Sequence, residues 1–145
     1  MIRVAVVGAS KLSENEERDA RQFCGMKFNE LINDYGIMNV TIVSGGAKGV
    51  DSIAEEVAKG LGLGTETFKP EVERWEDDGE KIGYRTRNIQ IAERCDILYC
   101  LPCNFKGKPC KHCGTDLHQN SGACWTMKRA KDIKKQTFLI PPTKR

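Results

Sequence analysis

The sequence has no long hydrophobic run. None of its apolar stretches approaches the roughly 18 residues that a membrane-spanning helix needs. The opening residues lead directly into a predicted strand, without the pattern of a signal peptide. We therefore expect a cytoplasmic protein with no membrane partner. Histidine is also scarce, with two residues in the chain, so few side chains would titrate near neutral pH.

A large excess of charge of one sign is missing as well. The 23 Lys and Arg residues nearly balance the 20 Asp and Glu residues, which leaves a formal charge of +3. This charge permits contact with phosphates but does not by itself indicate a nucleic-acid-binding surface, which needs cations clustered on one face. With 145 residues, 39% of them hydrophobic, we expect one globular domain spanning residues 1–145.

Short apolar runs alternate with amphipathic stretches along the chain. Helices are predicted over 13–36, 50–61, 84–94 and 124–133, the first of them opened by a capping box of Ser13 and Glu16. Strands are predicted over 2–7, 40–43, 65–68, 96–101 and 137–140. Such alternation is typical of an α/β fold, a Rossmann-like doubly wound parallel sheet of about five strands in three layers, α/β/α. Ligands of these folds bind beyond the carboxyl ends of the strands.

The most informative stretch spans residues 40–62, where an apolar run ends in a glycine-rich turn and opens into an amphipathic helix. A strand that passes through Gly45 and Gly46 to a helix N-terminus is expected to leave backbone N–H groups unpaired and aimed outward. Such amides form an anion site, and glycine would let a phosphate approach the backbone. An ordinary tight turn between strand and helix is the alternative. A second loop of this kind begins at Gly8.

Four segments taken together resemble the SLOG superfamily of Rossmann-like proteins. They are Gly8-Ala9-Ser10, the SGGAKGVDSIAEEVA segment at 44–58, the GYRTRN segment at 83–88, and the turn Ser121-Gly122. The superfamily includes the Lonely Guy phosphoribohydrolases and the Smf/DprA family of DNA processing proteins. The small bacterial and phage proteins called YspA- or YpsA-related are the most similar members.

This resemblance implies a nucleotide or nucleotide-derived ligand held at the glycine-rich loops. Asp51 would accept hydrogen bonds from a sugar hydroxyl, or else act as a helix N-cap. Arg87 would pair with phosphate, or else form a surface salt bridge. Asn88 would orient a base or a backbone turn. The complete predicted ligand set is Gly8, Ser10, Ser44, Gly45, Gly46, Gly49, Asp51, Arg87, Asn88, Ser121 and Gly122.

One departure from the superfamily bears on activity. Lonely Guy enzymes carry a glutamate after their second glycine turn that takes part in cleaving the N-glycosidic bond, and no glutamate matches it after Ser121-Gly122. We therefore favour ligand binding or sensing over catalysis, and the enzyme assignment stays open. The alternatives are a phosphoribohydrolase that uses another carboxylate, and a protein that binds single-stranded DNA as DNA processing relatives do. The enzyme's candidate carboxylates are Asp51, Glu76, Asp77 and Asp78. A homo-oligomer is expected because similar proteins commonly associate through a helix face.

Tryptophan at position 75 stands out in the polar segment 71–83. Its indole would either stack on a base or sugar, or serve as an aromatic lid anchored in the core.

Seven cysteines are many for a cytoplasmic protein, and three of them lie in the segment 102–120. The spacing C-x6-C-x2-C-x4-H predicts a small zinc-knuckle-like insertion with a structural Zn²⁺ ion. The predicted ligands are Cys103, Cys110, Cys113 and His118. His112 is an alternative to His118, and Cys100 or Cys124 is an alternative to Cys103. A redox pair of Cys110 with Cys113, or a loop of free thiols, would be the other interpretations. Cys24 and Cys100 are expected to be buried core residues.

Overall fold

The predicted alternation of strands and helices is confirmed by the computed structural model, which describes residues 1–102 and 122–140. A 3-10 turn at Ile37–Asn39 precedes the second strand. The elements are β1 (Ile2–Gly8), α1 (Glu14–Tyr35), β2 (Val40–Ser44), α2 (Val50–Gly60), β3 (Gly64–Thr67), α3 (Tyr84–Arg94), β4 (Ile97–Leu101), α4 (Gly122–Asp132) and β5 (Gln136–Leu139).

The five strands form one parallel sheet in the order β3-β2-β1-β4-β5. Strand β1 lies in the middle and pairs with β2 on one side and β4 on the other. The chain thus builds one half of the sheet outward from β1 and then returns to build the other half. In such sheets a crevice opens where the strand order reverses, at the carboxyl ends of the central strands. Here that place is the end of β1, next to the ends of β2 and β4.

Helices cover both faces of the sheet, because alternate residues of β1 point to opposite sides. Val4 and Val6 pack in one core with α1 and α2. Ala5 and Val7 pack in the other core with α3 and α4. The three layers of the predicted architecture are therefore present in the described residues.

The capping box at the start of α1 is also confirmed. Ser13 Oγ accepts a hydrogen bond from Glu16 N at 3.2 Å, and Glu16 Oε1 accepts one from Ser13 N at 2.9 Å. Each side chain therefore satisfies a backbone donor that has no partner within the helix. This cap fixes the point at which the chain leaves the loop after β1.

Cys24 and Cys100 are fully buried, as predicted. Burial raises the pKa of the Cys24 thiol to about 12, so this side chain is an inert apolar residue at neutral pH. Cys100 Sγ lies 3.8 Å from Cys124 Sγ, and Cys124 is equally buried.

The predicted zinc ligands Cys103, Cys110, Cys113 and His118 lie outside the described residues. Within residues 1–102 and 122–140, no three His, Cys, Asp or Glu side chains are placed to hold a metal ion. The same ranges contain no helix that has both the length and the apolar character to cross a bilayer.

Candidate ligand-binding cleft

A cleft of about 1120 Å³ opens at the carboxyl edge of the sheet. Its walls are the loops that follow β1, β2 and β3, together with the first turns of α3 and α4. This is the crevice expected at the reversal of strand order. The volume is slightly above the roughly 300–1,000 Å³ of ordinary small-molecule sites, so the cleft has room for a ligand of this class.

The Gly45 and Gly46 amides of the turn after β2 are not open donors. Gly45 N donates to Asp51 Oδ2 at 3.2 Å, and Gly46 N donates to Ser44 Oγ at 3.1 Å. At the start of α2, Val50 N donates to the Ala9 carbonyl at 3.1 Å. The expectation that the Gly45 and Gly46 amides point outward, ready for an anion, is therefore wrong. The protein's own side chains already accept their hydrogen bonds.

Asp51 accounts for much of this arrangement. It is not the N-cap of α2, since Gly49 holds that position. Its carboxyl group is only 6% exposed and turns back onto the loop. Burial raises its pKa to about 7, although the positive charge of Arg87 and hydrogen bonds from the Ala47 and Gly45 amides act in the opposite direction. A buried carboxyl group that is only partly ionised at neutral pH thus lines the cleft.

Arg87 reaches the same turn from α3. Its Nη1 donates to the Gly45 carbonyl at 2.7 Å, and its Nε donates to Asn88 Oδ1 at 2.8 Å. The guanidinium also lies 5.5 Å from the centre of the Tyr84 ring. Because the side chain is only 8% exposed, the alternative of a surface salt bridge is wrong. Burial lowers the pKa of Arg87, with Asp51 and Tyr84 acting against that shift.

Gly45 is therefore held at both ends of the residue, its N–H by Asp51 and its carbonyl by Arg87. A Cβ at this position would lie 2.6 Å from Arg87 Nη1 and 2.8 Å from Asp51 Oδ2. Glycine is required here so that the two side chains can approach the main chain. We call Asp51, Gly45 and Arg87 the glycine clamp.

Two residues of the predicted ligand set do not line the cleft. Ser44 is fully buried, and its hydroxyl donates to Glu55 Oε1 at 2.7 Å. Gly49 has a φ of +84°, and a Cβ there would collide with the Ala9 carbonyl oxygen. Both residues hold the loops in place, and neither is part of the lining of the cleft.

Most of the other predicted residues meet at the cleft. Their contact with a ligand stays a prediction, and Ser121 lies outside the described residues. The ones that line the cleft are Gly8, Ser10, Gly45, Gly46, Asp51, Arg87, Asn88 and Gly122.

Three lysines at the cleft were not among the predicted residues. Lys11, Lys48 and Lys69 come from the loops after β1, β2 and β3. Lys48 stands beside Gly49, and Lys11 directly follows the Gly8-Ala9-Ser10 loop, so their sequence positions could have indicated them. Lys69 lies near the end of a weak predicted strand. Its side chain packs against Gly46, since a Cβ at position 46 would lie 3.1 Å from Lys69 Cγ and 2.9 Å from Lys69 Cε. That contact between two loops has no signal in the sequence.

The segment between β3 and α3 brings Trp75 to the cleft. Its side chain is 38% exposed and packs edge to face with Trp125 of α4, with 5.0 Å between ring centroids. The interpretation of Trp75 as a lid anchored in the core is therefore wrong.

Of the proposed catalytic carboxylates, Asp51 lines the cleft, whereas Asp77 accepts hydrogen bonds from Gly83 N and Thr86 Oγ1.

Comparison with solved structures places this architecture among known folds. DNA processing protein A from Streptococcus pneumoniae superposes with a TM-score of 0.66 at 19% identity, covering 99% of this chain and 51% of that one. DNA processing protein A from Helicobacter pylori, studied for its single-stranded DNA binding mode, gives 0.64 at 18% identity, with coverage of 98% and 66%. The chain shares the fold of DNA processing protein A. It spans 51% and 66% of the length of these two proteins.

A molybdenum cofactor binding protein from Rippkaea orientalis also shares the fold, with a TM-score of 0.59 at 16% identity, over 95% of this chain and 75% of that one. No protein-family model and no curated protein matches the sequence. These comparisons show that the chain shares its fold with DNA processing protein A and with this cofactor-binding protein.

Proposed function

We propose that the protein binds a nucleotide or nucleotide-derived ligand in the cleft at the carboxyl edge and acts as a sensor of that ligand. The observation that carries this proposal is the convergence of four cations on one glycine-lined cleft. These cations come from four different segments of the chain, and they are Lys11, Lys48, Lys69 and Arg87. A phosphate group is the anion that such a site suits, because lysine and arginine both form charge-assisted hydrogen bonds with it.

The carboxyl groups of the cleft do not cancel this positive charge. Glu16, Asp51 and Glu73 line it as well. However, the pKa of Asp51 is raised to about 7, so this group carries only part of a negative charge at neutral pH. Counted over the described residues, the lining of the cleft is therefore net positive, and it becomes more so when Asp51 takes up a proton.

Hydrolysis of an N-glycosidic bond is a second candidate function. It is favoured by the raised pKa of Asp51 and by the position of this residue in the cleft. A general acid or base works best with a pKa near the working pH. Among the carboxylates proposed from the sequence, Asp51 has such a pKa and lies in the cleft. Its Oδ2 already accepts the Gly45 amide hydrogen, which supports a sensor over an enzyme.

Binding of single-stranded DNA is a third candidate, supported by the fold shared with DNA processing protein A. The lysines of the cleft would contact the phosphates. This function predicts an affinity that falls steeply with salt, because each neutralised phosphate releases counterions.

For the segment 102–120 we propose a structural zinc ion held by Cys103, Cys110, Cys113 and His118. The chemistry of the donors supports it, since three thiolates and one imidazole form a closed tetrahedral set for Zn²⁺. Mass spectrometry of the intact, natively folded protein would test this, with loss of one zinc per chain expected after substitution of Cys110 and Cys113 by serine.

Isothermal titration calorimetry with nucleoside monophosphates, diphosphates and triphosphates tests the main proposal. Lys48→Ala should weaken binding, because it removes a cation from the cleft. Lys59→Ala serves as the matched control, since this exposed lysine lies in the last turn of α2, at the other end of the helix. Chromatography of the same mixtures for free base reports hydrolysis. Equal affinities of both variants and the native protein for every nucleotide would contradict the proposal.

A further inference from the structure

We propose that Trp75 is the platform on which the aromatic base of the ligand stacks, so that the cleft selects a phosphorylated compound that carries a nucleobase. This inference rests on the proposed function, and it adds a site for a part of the ligand that the glycine loops and lysines do not recognise. Aromatic side chains beside cationic grooves hold bases of every kind, because every base has a π-face.

The backbone of Trp75 is fixed to the helix that also carries Arg87. Tyr84 N donates to the Arg74 carbonyl at 2.8 Å, and Arg85 N donates to the Trp75 carbonyl at 3.0 Å. The first amides of α3, which have no partner within the helix, are thus satisfied by the residues around Trp75. A movement of Trp75 relative to Arg87 would break these hydrogen bonds.

Tight packing beneath the tryptophan adds to this rigidity. Gly83 is buried, and a Cβ there would lie 2.5 Å from the carbonyl oxygens of Arg74 and Glu76 and 2.8 Å from that of Trp75. Asp77 Oδ1 accepts the Gly83 amide hydrogen at 2.8 Å. The turn is therefore built so closely onto the start of α3 that the main chain at Trp75 has little freedom.

The indole ring is held from the other side by Trp125. The two rings are nearly perpendicular, at 89°, with 5.0 Å between their centroids, which is a favoured geometry for aromatic pairs. Arg85 lies 6.0 Å from the centre of the Trp125 ring. Trp75 is still 38% exposed and is one of the residues that line the cleft together with the cations.

An aromatic surface held in place in this way can bind a base without ordering a loop, which removes one of the usual costs of binding. Helix α3 connects Trp75 to the glycine clamp. It carries Arg87, and its first amides donate hydrogen bonds to the main chain around Trp75. A ligand that carries both a phosphate and a base would use the two parts together.

Titration calorimetry with adenosine, guanosine, cytidine and uridine 5′-monophosphates, alongside ribose 5-phosphate and inorganic phosphate, tests this inference. The nucleotides should bind the native protein more tightly than ribose 5-phosphate by about 5-fold to 150-fold, the range for stacking of one base on an aromatic side chain. Trp75→Ala should remove that advantage and leave the affinity for ribose 5-phosphate unchanged. Trp75→Phe should retain much of it, because the ring remains.

Fluorescence gives a second readout. The chain has two tryptophans, and a base stacked on Trp75 should quench the emission of the native protein but not that of Trp75→Phe. Circular dichroism confirms that each variant is folded, and the retained affinity for ribose 5-phosphate confirms that its cleft is intact.

The outcomes separate this inference from the proposal on which it rests. If nucleotides and ribose 5-phosphate bind equally, or if Trp75→Ala binds nucleotides as the native protein does, the stacking platform is refuted and phosphate binding in the cleft stands. If none of the compounds binds, both proposals are refuted.

Discussion

The loops that follow β1 and β2 border the same cleft, but they use their polar groups differently. The loop after β2 carries the most specific motif of the sequence, and its amides at Gly45 and Gly46 are already bonded to Asp51 and Ser44. The loop after β1 instead presents the exposed side chains of Ser10 and Lys11 to the cleft.

The glycines of the loop after β2 therefore have a structural role, since they make room for side chains of the protein. Glycine at position 45 gives the side chains of Asp51 and Arg87 access to the main chain, and glycine at 46 gives Lys69 room. The motif therefore builds a frame that includes the Asp51 and Arg87 side chains, and the exposed lysines around it, Lys11, Lys48 and Lys69, remain to contact a ligand. Variants of the frame should lose stability, whereas variants of the exposed residues should lose affinity alone.

The largest expected effect on stability comes from the contact between Gly49, in the loop after β2, and Ala9, in the loop after β1. Gly49→Ala should lower the free energy of unfolding by about 3 kcal/mol or more, because φ is positive and the new Cβ would collide with the Ala9 carbonyl. Urea denaturation measures it. The control is Gly25→Ala in α1, where a Cβ meets nothing within 4 Å, and which should stabilise the protein by about 0.8–1 kcal/mol. Similar stabilities of the two variants would contradict the close contact of the loops.

Asp51→Asn should change how stability depends on pH. The pKa of Asp51 is raised from 3.8 in an ordinary environment to about 7 in the folded protein, so the folded state binds more protons than the unfolded chain between these pH values. Native stability should therefore fall as pH rises through this window and become constant above it.

The asparagine variant lacks this titration, and its one amide oxygen can replace only one of the two carboxyl oxygens that accept from the Gly45 and Ala47 amides. Between pH 4 and pH 8 the stability of the native protein should fall relative to that of the variant by about 2 kcal/mol or more, given that one pKa unit corresponds to about 1.4 kcal/mol. Thermal denaturation from pH 4 to pH 8 measures the difference. A native curve parallel to that of the variant would show that Asp51 has an ordinary pKa.

Arg87→Lys should reduce stability by about 1–2 kcal/mol, because a single ammonium group cannot reproduce the fixed geometry of the hydrogen bonds to Gly45 and Asn88. The matched control is Arg18→Lys, at an exposed position of α1. Chemical denaturation of both variants separates the loss of the clamp's hydrogen bonds from a general effect of replacing arginine by lysine. Equal losses would argue against the clamp.

The smallest effect on stability is expected for Lys11→Ala, within about 0.5 kcal/mol, because the side chain is exposed. Its affinity for a nucleoside triphosphate should nevertheless fall, and the salt dependence of binding should become shallower, since one cation of the cleft is lost. Titrations at two ionic strengths measure this. A variant that loses stability but not affinity would place Lys11 in the frame.

Local patterns were sufficient for most of the secondary structure. The helix predicted over 84–94 has these bounds in the structure, because its apolar residues repeat at helical spacing and Gly83 precedes it. Helix α4 begins two residues earlier than predicted, at Gly122, and β3 lies one residue earlier, at Gly64–Thr67. Both lie beside segments with weak periodicity, where the end of an element depends on contacts outside it.

The site was predicted less completely, for a different reason. Glycines after strands identified the correct edge of the sheet, and eight of the eleven predicted ligand residues line the cleft. The use of each polar group was not predictable, because Gly45 bonds to Arg87, which is 42 positions away in the chain. The contact of Trp75 with Trp125 joins two segments with no shared pattern.

The sequence by itself determined an alternating α/β chain, a glycine-rich edge and a small surplus of positive charge, because periodicity, turn chemistry and composition act over a few residues. Only the tertiary structure decided which donors and acceptors are satisfied within the protein and which remain open at the cleft. Folding pairs groups that are distant in the chain, and a buried polar group that finds such a partner is no longer available to a ligand.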